Sequence, residues 1–197
     1  MSNVNLLLFG VYPYIALAIC LIGSWARFDL SQYTWKAGSS QIFHRTAAEQ
    51  LYMRRASNLF HVGVLFVLAG HFVGLLMPES LYHYVISTQN KQLLAMVSGG
   101  FFGTLCLIGL LMLLKRRLTD DRVRASSSTS DILILVVLLV QLLLGLGTIF
   151  ASTKHMDGSV MVMLANWAQY IVTLQPQLAA ESIAPVGLVY KLHVFLG

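Results

Sequence analysis

Three histidines fall inside apolar stretches of this 197-residue chain: His61, His71 and His193. An imidazole in hydrocarbon costs free energy unless it has a partner, and for a lone histidine that partner is commonly a neighbouring helix. Depth separates these three from that case. His71 lies six residues before Met77, where one apolar run ends, and His193 lies seven residues after Val186, where another begins. At about 1.5 Å per helical residue, both sit roughly 9–10 Å below the same membrane boundary. Two imidazoles from different helices at one depth can hold an iron from both faces of a haem. His61 lies ten residues from His71, about 15 Å further into the membrane, which suits a second haem. Ten residues also rotate its ring by about 80°, so two macrocycles need not stack. The partner of His61 is expected near the far end of the last helix, past Gly197.

Lys91 is the fourth residue with chemical potential. It stands alone at the mouth of the third apolar run. A lysine there either snorkels to mark a helix end or donates to a quinol oxygen at the rim of a haem pocket, and the residues alone leave both open. His44, His83 and His155 lie in polar connections and are read as solvated. No phosphate loop, nucleophile triad, zinc pattern or iron–sulfur cysteine run is present, so the hard chemistry is expected to belong to a bound cofactor.

The elements that must position these residues are membrane helices. The chain is 57% hydrophobic and 11% charged, where soluble domains carry about 25% charged residues. Leu6–Trp25, Asn58–Met77, Leu93–Leu114 and Ile132–Phe150 each approach the roughly 20 residues that cross a bilayer. A fifth run starts near Pro185 and stops at Gly197, which predicts a five-helix transmembrane bundle with a truncated fifth helix, in one domain. The runs do not alternate polar with apolar, which excludes a β-barrel. The first run lacks a basic leader and a good cleavage site, so it is not read as a signal peptide. Cys20 and Cys106 fall within runs and are read as inert packing residues.

Charge placement sets the orientation. Arg27, Lys36, Arg45, Arg54 and Arg55 lie between the first two runs, and Lys115, Arg116, Arg117, Arg122 and Arg124 between the third and fourth. Near the opposite connections stand only Lys91 and Lys154. The bias puts both basic loops in the cytoplasm and the N-terminus outside, so His71, His193 and Lys91 lie toward the outer face and His61 toward the inner.

Smaller features complete the layout. Gly63, Gly70 and Gly74 form a small-residue stripe on the second helix, which admits either a neighbouring helix or a flat macrocycle. The 27–55 loop carries Tyr33, Trp35 and Phe43, as suits a surface covered by lipid headgroups or a partner. Ser126 to Asp131 is an N-cap region for the fourth helix, which is nearly pure Leu, Val and Ile and reads as structural or lipid-facing. Met161, Leu164, Trp167 and Ala168 recur at helical spacing, predicting a short amphipathic helix on the outer interface.

With these residues in place, the chain resembles the gamma subunit of respiratory nitrate reductase, a membrane cytochrome b, over nearly its whole length. The resemblance rests on Tyr12-Pro13-Tyr14-Ile15-Ala16, Leu21 to Trp25, Gln32 to Trp35, Ala56 to His61, Gly70-His71-Phe72, Lys115 to Leu118, Arg122 to Ala125, Asp131 to Leu135, His155 to Ser159 and Leu192-His193-Val194. It implies two b haems: His71 and His193 match the ligands of the outer haem, and His61 one ligand of the inner. Lys91 matches a lysine of the family's quinol site, which places quinol near Lys91, His71 and Gly70. It also implies two cytoplasmic partners, an iron–sulfur subunit and a molybdenum-containing catalytic subunit, and a multi-pass protein of a prokaryotic plasma membrane. Two departures stand out: extra residues around Thr46 to Arg54, and a fifth helix that in the family continues past the position of Gly197, as if the chain were a fragment. A cytochrome b subunit of another quinone-linked oxidoreductase is the nearest alternative. A haem-free scaffold with packing histidines is a more distant one.

Overall fold

The computed structural model describes residues 3–30 and 46–197. Lys36, His44 and Arg45, with the loop aromatics Tyr33, Trp35 and Phe43, lie outside the described residues. Every regular element among the described residues is helical: α1 Asn3–Leu30, α2 Ala47–Leu76, α3 Glu79–Tyr82, α4 Thr88–Thr119, α5 Asp121–Ala125, α6 Thr129–Ser152, α7 Ser159–Val172, α8 Pro176–Ile183 and α9 Leu188–Leu196. Four of them, α1, α2, α4 and α6, are long and apolar enough to cross a membrane, and their apolar side chains face outward. With the shorter α9 they make the expected all-α membrane bundle.

The helices outrun the apolar stretches. α2 starts at Ala47, eleven residues before the run at Asn58. The cause is local: Thr46 is the N-cap and its side chain accepts from the Glu49 N–H at 3.2 Å, which satisfies one of the orphan donors of the first turn. Arg54 and Arg55 therefore lie on the helix, not in the loop where the hydrophobic pattern put them, and most of the Thr46 to Arg54 stretch is helical too. A hydropathy run marks contact with lipid, whereas a helix ends where its caps are. At α6 the expected cap is present: Ser128 and Asp131 form a reciprocal capping box.

The glycine stripe of α2 divides between its two uses. A Cβ at Gly63 would lie 2.5 Å from the backbone nitrogen of Cys106, so α2 and α4 cross there in direct backbone contact. Gly109 makes the reciprocal approach to Phe60 and Ala56. Gly70 and Gly74 meet nothing within 4 Å, so that half of the stripe borders open space.

A compact cap closes the end that the charge pattern assigns to the outside. Phe9, Ile183, Val186 and Tyr190 form its buried centre, with Trp167, Met163 and Ala151 against it. The expected amphipathic helix is α7. A second helix, α8, was not foreseen; Pro176 occupies its first turn, where the missing N–H is harmless, and Ala179, Ala180 and Ile183 are fully buried. The cap grips α1 through a defect. Pro13 has no N–H, so the carbonyl of Phe9 loses its helical donor, next to a π-helical turn at Leu7–Val11. The indole N–H of Trp167 donates to that carbonyl at 2.9 Å. Trp167→Phe keeps an aromatic ring, though a smaller one, and strands the carbonyl. It is expected to destabilise the cap by about 1–3 kcal/mol, read as a lower melting temperature in detergent; an unchanged melt would show that the bond contributes nothing.

Candidate functional site

His71 and His193 come together. They approach from α2 and α9 with ring centroids 6.0 Å apart and planes inclined by 47°. Taking about 2 Å for a metal–imidazole bond and about 1 Å more to each ring centre, two imidazoles on opposite sides of one iron would be separated by about 6 Å. The separation of these rings matches that spacing, so the pair could hold one metal ion.

The ring nitrogens of His71 and His61 are arranged consistently with that use. His71 Nδ1 lies 2.8 Å from the carbonyl oxygen of Val67, one turn back. A Nδ1–H donated there leaves Nε2 as the free lone pair, and metal-bound histidines commonly spend the other N–H on a backbone carbonyl in this way. His61 repeats the pattern, with Nδ1 2.7 Å from the Ser57 carbonyl and 3.2 Å from the Ser57 hydroxyl. His61 stands apart from the pair, its ring edge-on to Phe60 at 5.3 Å. His193 Nδ1 is buried and without a partner. On the α2 side, the open edge at Gly70 and Gly74 leaves space beside His71.

Lys91 does not snorkel. The residue is only 8% exposed, its Nζ has no hydrogen-bond partner, and the ammonium lies 3.6 Å from the centre of the Tyr82 ring. A cation over a ring face is held by the ring quadrupole, which leaves its N–H donors unspent. A buried charged donor without an acceptor is costly, so this one is poised for a ligand with an oxygen to offer.

Several polar side chains that hold this region were not singled out by the sequence. Gln92, next to Lys91, donates to the carbonyls of Ser152 and His155 at 3.3 and 2.9 Å and so ties α4 to the end of α6. Ser152 in turn bonds the Tyr190 hydroxyl at 2.8 Å, one turn before His193. Gln141 on α6 donates to the carbonyl of His193 at 3.1 Å. Of these, Gln141 stands alone in an apolar run, and that isolation was the available signal; Gln92 and Ser152 border polar stretches and carried none. The word His155-Met156-Asp157-Gly158-Ser159 also has a local reason. Gly158 has φ +83°, and a Cβ there would strike the Thr88 side chain, so the turn docks on the first residue of α4. The Ser159 hydroxyl and N–H, bonded at 2.9 and 3.3 Å, hold the Asp157 carboxyl below the usual carboxylate range. His83 and His155 are exposed, as expected of solvated residues.

Known proteins resemble this chain in sequence. The chain is 48% identical over 197 residues to the respiratory nitrate reductase 1 gamma chain of Escherichia coli strain K12, covering all of this chain and 85% of that one. It is 45% identical to the respiratory nitrate reductase 2 gamma chain of the same organism, over 98% of this chain and 83% of the relative. The nitrate reductase gamma chain of Bacillus subtilis strain 168 is 34% identical over 97% of this chain and 83% of its own length. The family model for the nitrate reductase gamma subunit matches residues 5–197, and the chain belongs to that family.

Proposed function

We propose that the chain is the quinol-oxidising membrane cytochrome b subunit of a respiratory nitrate reductase. The observation that carries this is the 6.0 Å His71–His193 pair in a chain of this family. His71 and His193 would hold the iron of the outer haem, and His61 would supply one ligand to the inner haem. When bound, the haems supply one-electron redox chemistry at two depths of the membrane.

The chain's own residues bind and orient the quinol. Lys91 donates an N–H to a quinol oxygen and stabilises the negative charge that grows there as the hydroxyl proton leaves. Tyr82 holds the ammonium in place, and the missing side chain at Gly70 leaves room for the quinol ring beside His71. Protons are released on the outer side, whereas electrons move inward to an iron–sulfur subunit and then to a molybdenum-containing catalytic subunit that reduces nitrate. Lys115, Arg116, Arg117, Arg122 and Arg124 lie on the cytoplasmic side, where those partners dock. The N-terminus is outside, and the protein sits in a prokaryotic plasma membrane. Separating charge in this way is worth about 2.3 kcal/mol per elementary charge per 100 mV.

The test is a visible spectrum of the assembled complex with haem stoichiometry. A b-type α-band that develops on adding quinol, with two haems per chain, is expected. A preparation with no such band would overturn the proposal.

A further inference from the structure

Helix α6 meets His193 at two points one turn apart. Gln141 Nε2 donates to the His193 carbonyl at 3.1 Å. Four residues on, a Cβ at Gly145 would lie 3.0 Å from His193 Cε1 and 3.5 Å from Nε2. Carbon atoms in ordinary contact sit about 3.5–4.0 Å apart, so the imidazole occupies the place that any other side chain at 145 would take. Gln141 is the only polar residue of α6 between Asp131 and Thr148. An amide in such a run is costly unless bonded, and its bond is to the backbone of His193. Gly147, two residues past Gly145, makes no such approach: a Cβ there would meet Val189 at 3.7 Å, an ordinary contact.

We propose that Gln141 and Gly145 are positioning residues for His193: the glycine leaves the space in which the imidazole turns, the glutamine fixes the backbone from which it hangs, and together they set the redox potential of the haem it ligates. This rests on the assignment of His71 and His193 as haem ligands. A haem potential depends on its axial ligands and on the contacts that orient them. A methyl group at 145 pushes the ring by a few tenths of an ångström, weakens its donation to the iron, and so costs the oxidised form more than the reduced. The potential therefore rises.

The experiment is a redox titration, followed by optical and electron paramagnetic resonance spectra, of the assembled enzyme carrying Gly145→Ala, Gly147→Ala or Gln141→Leu. All three are expected to keep two haems per chain. Gly145→Ala should raise one midpoint by a tenfold change in the redox equilibrium, 59 mV for a one-electron couple, and move the low-spin signal of that haem. Gln141→Leu should shift the same haem in the same direction by at least threefold, and Gly147→Ala should shift neither. An unmoved potential and signal in Gly145→Ala, or an equal shift in Gly147→Ala, overturns the proposal. If Gly145→Ala fails to incorporate haem, Gln141→Leu decides alone, and an unmoved potential there overturns it. His193→Ala separates the two levels: if it retains both haems, the ligand assignment itself fails.

Discussion

Replacing His71 with alanine is expected to remove one b haem per chain and leave the other. The two ring centroids lie 6.0 Å apart, and on the proposed ligation the alanine variant would keep only one of the two protein ligands of the outer haem. Mutating even an outer partner of a metal ligand costs about 10–100-fold in affinity or activity, so loss of the ligand itself should lower quinol-driven nitrate reduction by at least about 100-fold. Nitrate reduction fed by an artificial donor that reaches the soluble subunits directly should survive, because the bundle stays in place: the α2–α4 contacts at Gly63 and Gly109 do not involve His71. Haem extraction and the quinol-reduced spectrum measure the effect. Two haems in the alanine variant, with an unaltered α-band, would refute the assignment.

Lys91→Ala should act differently, on quinol and not on haem. Its ammonium is buried, lies over Tyr82 and has no acceptor. A hydrogen bond from a charged group is worth about 1.5–3 kcal/mol. Its removal should reduce kcat/KM for quinol by about 10- to 100-fold while both haems stay bound and still respond to a chemical reductant. Steady-state kinetics with varied quinol, beside a dithionite-reduced spectrum, make the check. Unchanged quinol kinetics would remove Lys91 from the site, and a lost haem signal would make its role structural.

The contrast between these two residues shows what sequence makes legible. Spanning helices announce themselves because lipid demands an unbroken apolar stretch, and the Ser128–Asp131 cap is readable because its partners are three residues apart. The His71–His193 pairing was within reach because a membrane converts residue number into depth, so two positions far apart in sequence can be placed at one level. Depth says nothing about the angle around a helix. That is why the notch at Gly145, the bond from Gln141 across 52 residues and the tie from Gln92 across 60 and 63 residues left no periodic trace. The start of α2 was missed for a different reason: Thr46 and Glu49 cap a helix outside the apolar run that hydropathy detects. Lys91 carried two alternatives, and its burial speaks against the snorkelling one.

The bond between the Phe9 carbonyl and Trp167 has a consequence for biogenesis. Its partners are 158 residues apart. At a synthesis rate of about 5–20 residues per second, the first helix waits roughly 8 to 30 s for the indole that completes it. Until then it carries an unpaired carbonyl beside Pro13, and it cannot settle in its final seat. An early membrane segment is thus held open until α7 is made, and α7 is the latch that closes it.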